Sequence, residues 1–439
     1  MDYIKQRLFE KGSLMRAQLQ DLLKESRDLI VDEVTIGNVL GGMRGVTSLL
    51  TVTSKLDQYE GIRYRGFSLP ELYKVLPRYN TEGEPLAEGV FYLLLTGEVP
   101  TMEEVEYMRK DWVQRSEVPE HVFRAIDALP KTSKPMTRFS TGILAAATQS
   151  QFQKQHRVGL RKEDYWDSTY EDVMNMIAQL PVIASYIYRK EFCDGEVIAL
   201  DPNLDWSANF AHMMGFNSEE EFKLFRMYMF IHADHEGGNV SAHTAHLVGS
   251  ALSNPFYSYA AGMIGLAGPL HGYANQEVIR WIKSMYKHYN RTFEEGLSEE
   301  EIHDFVEKTL DDGNVIPGYG HAVLRATDPR FITQKDFADK YVQNDPLIHT
   351  VNILYKVVPA VLQERGKAKN PWPNVDAFSG SLLLHYGIKD YIFYTVMFGV
   401  SRALGVGAQL IWDRFLSLPI ERPNSQTLDW FTEYANSED

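Results

Sequence analysis

The sequence predicts an all-α fold of many helices, with a minor β-hairpin as its only β-structure. Apolar residues recur at helical spacing in several segments, whereas alternating β character is confined to residues 46–65. An open α/β sheet needs many more strands than one such segment supplies. The predicted helices span residues 13–29, 87–96, 171–188, 218–232, 275–289, 298–310 and 346–364.

Local signals support two of these elements. Ser298 is followed three residues later by Glu301, and this capping box predicts the start of one helix. In the hairpin region, residues 50–53 alternate in polarity, and the nearby Asp57 and Gly61 indicate a turn.

One apolar segment resembles a membrane span. Residues 391–412 contain a single charged residue, Arg402, together with three glycines. Because an arginine in mid-bilayer is costly, the segment predicts a buried helix of a soluble protein, with Arg402 facing a polar cavity.

Composition limits the class of protein. The chain has 439 residues, with 44 Lys and Arg against 59 Asp and Glu, for a formal net charge of −15. This length allows two or more domains and a large core. The acidic balance argues against nucleic acid or an anionic membrane as a partner. The single cysteine, Cys193, cannot form an intrachain disulfide, which suits a reducing compartment.

Residues 237–276 contain no Asp, Glu, Lys or Arg and are rich in Gly, Ala, Ser and His. Small residues let helices pack closely, and the absence of charge predicts burial. This stretch leads into His271, which suggests an active site built on rigid elements.

His271 stands in the sequence Gly-Pro-Leu-His-Gly, just before a predicted helix. The helix dipole disfavours a positive ring there, and a neutral histidine can donate N–H to an oxygen that becomes negative. Taken alone, the pattern fits a capping or core histidine better.

His321 is also set among glycines, and Arg325 and Arg330 follow it closely. Arginine binds carboxylate and phosphate in a bidentate manner, so the segment suits an anionic ligand. An ordinary charged surface loop fits the same pattern equally well.

Two further groups have alternative interpretations. His232, His235, His243 and His246 have spacings that could suggest a metal, but we expect buried, hydrogen-bonded histidines and no metal site. Asp376 follows a proline-rich approach and stands near a predicted helix start. It is a helix cap or, if desolvated near a carbon acid, a general base.

Taken together, these motifs resemble the citrate synthase family, in its larger mitochondrial and bacterial form. The matching strings appear in the family's order and cover nearly the whole chain. They are residues 41–45, 60–66, 232–239, 265–275, 317–330, 370–380, 398–405 and 421–423. The resemblance implies a nearly all-helical homodimer. It implies a large domain of residues 1–271 and 384–439, and a small domain of residues 272–383 that closes over the site.

The resemblance also implies residue roles in condensing acetyl-CoA with oxaloacetate and water. Asp376 matches the base, His271 the donor to the enol oxygen, and His321 the group that polarises the oxaloacetate carbonyl. Residues matching the oxaloacetate binders are His235, Arg330, Arg402 and, from the partner subunit's copy of the chain, Arg422. Residues matching the CoA binders are Arg44, Arg161, Arg325, Lys369 and the loop of Val315, Ile316, Pro317, Gly318, Tyr319 and Gly320. No cofactor beyond the CoA thioester substrate is implied.

Two features leave alternatives open. Many relatives carry histidine two residues after the catalytic aspartate, where this chain has Phe378. A changed acyl pocket would suit 2-methylcitrate synthase, which uses propionyl-CoA, and a non-catalytic sensor of CoA or a dicarboxylate is more remote. The first residues resemble neither a signal peptide nor a transit sequence. We therefore expect a bacterial cytoplasmic protein, or a mitochondrial matrix protein if the chain is a mature eukaryotic form.

Overall fold

A computed structural model describes residues 3–81, 83–321, 323–366 and 370–437. These residues form twenty α-helices, three single-turn 3-10 helices and a three-stranded antiparallel sheet, so the all-α prediction is confirmed. The first nine helices are α1 (Tyr3–Ser26), α2 (Ile36–Leu40), α3 (Leu69–Val75), α4 (Ala87–Thr96), α5 (Met102–Arg115), α6 (Glu120–Asp127), α7 (Pro135–Ala146), α8 (Gln151–Arg157) and α9 (Tyr165–Phe192). The others are α10 (Trp206–Met214), α11 (Glu219–Ile231), α12 (Val240–Ser250), α13 (Pro255–Leu266), α14 (Ala274–His288), α15 (Glu299–Asp311), α16 (Pro329–Tyr341), α17 (Pro346–Glu364), α18 (Asp376–His385), α19 (Tyr394–Leu416) and α20 (Leu428–Ser437).

The hairpin lies slightly later in the chain than the sequence predicts. Its strands are β1 (Ser54–Asp57), β2 (Gly61–Tyr64) and the short β3 (Phe67–Ser68). Residues 50–53, which the polarity pattern suggested as a strand, precede the ladder and belong to no strand. The Val52 N–H donates instead to the Gln409 side chain, 2.9 Å away, so a tertiary contact overrides the local pattern.

The predicted capping box is present at α15. The Ser298 side chain accepts from the Glu301 N–H, and the Glu301 carboxylate accepts from the Ser298 N–H at 2.8 Å. These two bonds satisfy donors that the helix itself leaves unpaired.

Helix α19 runs through the core and packs along α9. Residues 391–416 are long and apolar enough to cross a membrane, but 89% of their most apolar window is buried inside the protein. The segment is therefore a core helix, as its sequence predicts. A Cβ added at Gly405 would come within 2.5 Å of the Asp234 side chain, so this glycine lets α19 approach the end of α11.

The charge-free stretch forms α12 and α13, which pack closely on one another. A Cβ at Gly262 would lie 2.8 Å from the Ser241 carbonyl oxygen, so close packing depends on this small residue. Burial is less complete than predicted, because Val240, Leu247 and Ile264 are exposed. The structure thus leaves an uncharged, apolar face on these two helices.

Helices α14 to α18 pack on one another through α14 with α18, α15 with α17, and α16 with α18. The small domain of residues 272–383 that the resemblance implies stays a prediction. The loops that begin this region and connect its helices carry His271 and His321, and Asp376 is the first residue of α18.

Candidate active site

The segment between α11 and α12 carries His235. Asn239 caps α12, accepting from the Ala242 N–H and donating to the His235 carbonyl oxygen at 3.0 Å. The His235 side chain is buried, and its Nε2 has no hydrogen-bond partner among the described residues. A buried imidazole nitrogen left free in this way is suited to a ligand.

His271 lies in the turn that precedes α14, as predicted. Its Nε2 lies 3.3 Å from the Ser241 N–H and 2.9 Å from the Ser241 hydroxyl oxygen. Because a backbone N–H can only donate, Nε2 acts as acceptor and the ring proton is on Nδ1. Burial and the charge of Arg402 lower the pKa of His271 to about 4, so the ring is neutral at pH 7.

His321 is held by its own loop. Its Nδ1 accepts from the backbone N–H groups of Val323 at 3.0 Å and Leu324 at 3.2 Å, which leaves the ring proton on Nε2. Burial, followed by the charge of Arg330, lowers the pKa of His321 to about 4. Its ring meets that of His235 edge-on, with centroids 5.6 Å apart.

The loop before His321 is joined to the segment before Asp376. The Gly320 N–H donates to the Trp372 carbonyl oxygen at 3.0 Å, and the Asn374 N–H donates to that of Gly318 at 2.9 Å. Gly318 has φ +81°, and a Cβ there would lie 2.9 Å from the Ala377 Cα. Only glycine fits this close crossing, which brings together residues distant in sequence.

Asp376 is the first residue of α18, and its N–H donates to the Asn374 side chain at 3.0 Å. Burial raises the pKa of its carboxyl to about 7, while Arg330 and Arg402 oppose this shift and Asp328 adds to it. A carboxyl with this pKa is suited to proton transfer near neutral pH.

Two buried arginines provide positive charge. Arg330 is held by Asp328 through its Nε and one terminal nitrogen, the latter at 2.6 Å. Its other terminal nitrogen makes no hydrogen bond to a described residue and is suited to a second anion. Arg402 donates from Nε to the His232 carbonyl oxygen at 3.0 Å. Burial lowers the pKa of Arg402 to about 10, against the opposing charge of Asp234. Its terminal nitrogens make no hydrogen bond to a described residue.

The electrostatics show that these groups share one region. Arg330 and Arg402 both act on the pKa of His235, which burial first lowers well below its usual value, and both also act on Asp376. His271 and His321 each lower the pKa of His235 as well. The sequence-predicted side chains therefore converge between the α11–α12 segment and the loops of α14–α18.

Sequence reasoning missed three supporting residues. Asp328 neutralises part of Arg330, Ser241 sets the tautomer of His271, and Asp234 acts on Arg402. Asp328 could have been found as the aspartate before the proline that opens α16, a common capping position. The other two pairs depend on long-range packing, for which the sequence carries no local signal.

Other predicted residues lie outside this centre. Arg44 and Arg422 are exposed, and Arg161 is exposed in an ion pair with Asp164 at 2.8 Å. Arg325 lies near the site and donates to the Val323 carbonyl oxygen at 2.8 Å. Lys369 lies outside the described residues.

The loop of residues 315–320, predicted to contact CoA, is exposed at its start and held by backbone contacts toward its end. Ile316 is buried, whereas Val315 is 81% exposed beside it. Pro317, Gly318, Tyr319 and Gly320 continue to the crossing with residues 372–374.

The four histidines near α12 do not gather into one cluster. His232 contacts the Tyr228 carbonyl oxygen at 2.9 Å, and His246 contacts Asp413 at 2.7 Å. In the described part of the chain, no group of three or more His, Cys, Asp or Glu residues is arranged to hold a metal ion.

Phe378, the position that raised the question of acyl preference, is fully buried. Its ring meets Phe331 of α16 edge-on, with centroids 5.4 Å apart. The side chain thus belongs to the packing between α16 and α18.

Comparison with known proteins gives a consistent result. Residues 42–424 match the family described as "Citrate synthase, C-terminal domain". The chain is 53% identical to citrate synthase 4, mitochondrial, of Arabidopsis thaliana, over 96% of this chain and 90% of that relative. It is 52% identical to the mitochondrial citrate synthase of Daucus carota, over 96% of this chain and 91% of the relative.

Among solved structures, a citrate synthase from Thermoplasma acidophilum, described as a ternary complex with carboxymethyl coenzyme A and oxaloacetate, has the same fold. It matches with a TM-score of 0.74 and 22% identity, over 90% of this chain and 97% of that one. The extent of the family match and the identity to the two plant relatives lead to one conclusion: this chain belongs to the citrate synthase family.

Proposed function

We infer that the protein condenses acetyl-CoA with oxaloacetate and water, giving citrate and CoA, the entry step of the tricarboxylic acid cycle. It is thus an acyltransferase of the citrate (Si)-synthase type. The observation that carries this inference is the meeting of a carboxyl of pKa about 7 with two neutral imidazoles and two buried guanidiniums.

We assign the first step to Asp376 and His271. The acetyl methyl group is a very weak carbon acid, so its proton leaves only if the enolate charge is neutralised as it forms. Asp376 takes the proton, and the Nδ1–H of His271 donates to the thioester oxygen that becomes negative. Removing one such preorganised donor typically costs about 10²- to 10³-fold in kcat.

The second step joins the two substrates. The enolate carbon attacks the ketone carbon of oxaloacetate, and the ketone oxygen, held by the Nε2–H of His321, becomes a hydroxyl. The proton that Asp376 removed in the first step is returned here, so Asp376 and His321 both regain their starting protonation states. Oxaloacetate carries two carboxylates, for which Arg330 and Arg402 supply charge while His235 supplies its free Nε2. Arg422 of a second copy completes this pocket, because the exposed Arg422 of the same chain does not enter it.

In the third step, water cleaves the citryl thioester at its carbonyl carbon and releases the CoA thiol. Water has to be excluded before condensation, or acetyl-CoA would be hydrolysed without product. We propose that residues 272–383 act as a small domain that closes over bound oxaloacetate, against a large domain of residues 1–271 and 384–439.

CoA binding requires positive charge at the mouth of the site. Arg325 and Lys369 are proposed phosphate contacts from this chain, and the loop of residues 315–320 recognises the adenine. Arg44 crosses from a second copy in this proposal. Arg161 is the weakest of these assignments, because its guanidinium is already paired with Asp164. No cofactor besides the CoA thioester is assigned.

A homodimer is part of the proposal. The exposed apolar side chains of α12 and α13 form an uncharged face, as expected of a surface that a second subunit covers. The names of the plant relatives support the mitochondrial matrix as the compartment, and they give no support to the bacterial cytoplasm. Nucleic acid and membrane are not proposed as partners.

The direct test is release of free thiol when both substrates are present. Because Cys193 is exposed and would react with a thiol reagent, the assay uses Cys193→Ser beside the natural sequence. Thiol release that requires oxaloacetate is expected. Binding of both ligands without thiol release would favour a sensor instead.

The same assay with propionyl-CoA addresses the 2-methylcitrate alternative, which the relatives' names do not favour. One methylene is worth about 1–3 kcal/mol of discrimination. A higher kcat/KM for acetyl-CoA is expected, and a strong preference for propionyl-CoA would overturn the assignment.

A further inference from the structure

The chain after α19 is fastened to one face of α12. The Glu421 N–H donates to the Ser250 hydroxyl at 3.0 Å, and the Glu421 carboxylate lies 3.1 Å from Nε2 of His243. Its other oxygen lies 2.8 Å from Nε2 of His246, although this contact is not aligned as a hydrogen bond. All three α12 residues lie on one helix face, because His246 is three positions after His243 and four before Ser250.

His246 stands between two carboxylates. Its Nδ1 contacts Asp413 of α19 at 2.7 Å, while its Nε2 faces Glu421. A carboxylate at each ring nitrogen favours the imidazolium, because both nitrogens are then protonated and each faces a negative group. Burial opposes that charge, but the hydrogen bond to Asp413 and the charges of Asp413 and Glu421 outweigh it, so the pKa of His246 is raised.

The other charged groups around His246 are known. Arg414 of α19 acts against the imidazolium, and His243 shares Glu421 from the same helix. Asp234 and Glu236, from the segment between α11 and α12, line the same small cavity as His246. Around the ring, the carboxylates of Asp413 and Glu421 thus outweigh the one opposing guanidinium, that of Arg414.

We propose that the clasp formed by His243, His246, Asp413 and Glu421 positions Arg422 for the active site of a second copy of this chain. The proposal rests on the assignment of Arg422 under the proposed function. Glu421 directly precedes Arg422, which is itself exposed, so the clasp fixes the backbone from which that guanidinium extends. Glu421 and His246 are therefore positioning residues for oxaloacetate binding.

The clasp also depends on pH. As the pH rises through the raised pKa of His246, the ring loses a proton, and one carboxylate then faces a lone pair. The clasp is thus complete below this pKa and is weakened above it, where the contacts of Glu421 with Ser250 and His243 remain. KM for oxaloacetate is expected to rise on the alkaline side, while Asp376 governs the acidic side.

The test compares Glu421→Gln with Asp429→Asn, a matched carboxylate-to-amide control on the exposed helix α20. We expect Glu421→Gln to raise KM for oxaloacetate by about three- to ten-fold while changing kcat by less than about two-fold. The variant is also expected to lose the rise of KM on the alkaline side, because that rise depends on Glu421 facing the protonated ring of His246. Asp429→Asn should match the natural sequence, and thermal denaturation checks that each variant is folded.

Arg422→Leu distinguishes failure of the clasp proposal from failure of the role assigned to Arg422. If Arg422→Leu raises KM but folded Glu421→Gln leaves both KM and its pH dependence unchanged, the clasp has no positioning role, and the proposed function stands. If Arg422→Leu also leaves KM unchanged, the assignment of Arg422 is wrong, and the role of the clasp fails with it.

Discussion

Two regions of this molecule differ in whether a single chain supplies all the contacts that their proposed roles need. One is the buried centre, which holds the oxaloacetate-binding candidates, and the other is the exposed arms, the segments that carry Arg44, Arg422 and α20. In the centre, Arg330, Arg402 and His235 are buried and held by contacts within the chain. In the arms, Arg44 and Arg422 are exposed, and every described residue of α20 is at least partly exposed. The residues of the centre are therefore positioned by contacts within one chain. The arms carry residues whose proposed roles require a second copy of the chain.

The largest expected effect lies in the centre, at Asp376. Without a base, proton removal from acetyl-CoA fails, so Asp376→Ala is expected to lower kcat by about 10²- to 10⁴-fold. Oxaloacetate binding should remain, because the arginines and His235 are intact. Thiol release and calorimetric titration measure the two effects, with Asp304→Ala, at an exposed position of α15, as control. Near-normal kcat would mean that Asp376 is not the base.

A substitution at Arg402 tests whether its buried positive charge binds oxaloacetate. Arg402→Leu removes a buried cation from an expected carboxylate contact, and oxaloacetate binding should weaken by about 2–5 kcal/mol. Titration of the folded variant measures this change, with thermal denaturation to detect any loss of stability. An unchanged Kd would remove Arg402 from the pocket.

His271 tests the preorganised donor. His271→Ala is expected to lower kcat by about 10²- to 10³-fold with little change in oxaloacetate binding. Steady-state kinetics measure both parameters. A variant that lost only oxaloacetate affinity would place His271 with the binding residues instead.

The pH profile distinguishes the carboxyl from the imidazoles. Asp376 acts only when ionised, so kcat/KM should fall as the pH drops below about 7, the pKa of this carboxyl. His271 and His321, with pKa values of about 4, stay neutral throughout this range and should add no second inflection. A profile that stayed flat down to about pH 5 would contradict the raised pKa.

The sequence predicted the helices with strong local signals. Residues 87–96 and 346–364 match α4 and α17 in full, and in α17 Asp345 caps the helix that Pro346 begins. The first helix starts at Tyr3 rather than at residue 13, because Ile4 and Leu8 are buried against the rest of the fold. Ile4 and Leu8 are four positions apart, so they continue the apolar face of the helix toward the N-terminus, and the predicted start was too late.

The site could be predicted only in part, because some of its residues stand in recognisable local motifs and others do not. The histidines flanked by glycine, His271 and His321, can be recognised in the sequence. The resemblance to the family supplied the roles of Asp376 and of the arginines. The contacts that set their chemistry are long-range, such as Ser241 on His271 and the crossing of Gly318 with Asn374. Helix-start position predicted a neutral His271, but the structure attributes its low pKa to burial and Arg402.

One complementation assay tests the division between centre and arms most directly. Chains carrying Asp376→Ala and chains carrying Arg422→Leu are expressed together with different tags, and the mixed dimer is isolated. One of its two sites should combine an intact Asp376 with an intact Arg422 from the partner chain. We therefore predict thiol release at about half the rate of the proposed homodimer of the natural sequence, although each variant alone is impaired. A mixed dimer no more active than the Arg422→Leu dimer would contradict the account, because it would mean that no site is completed across two chains.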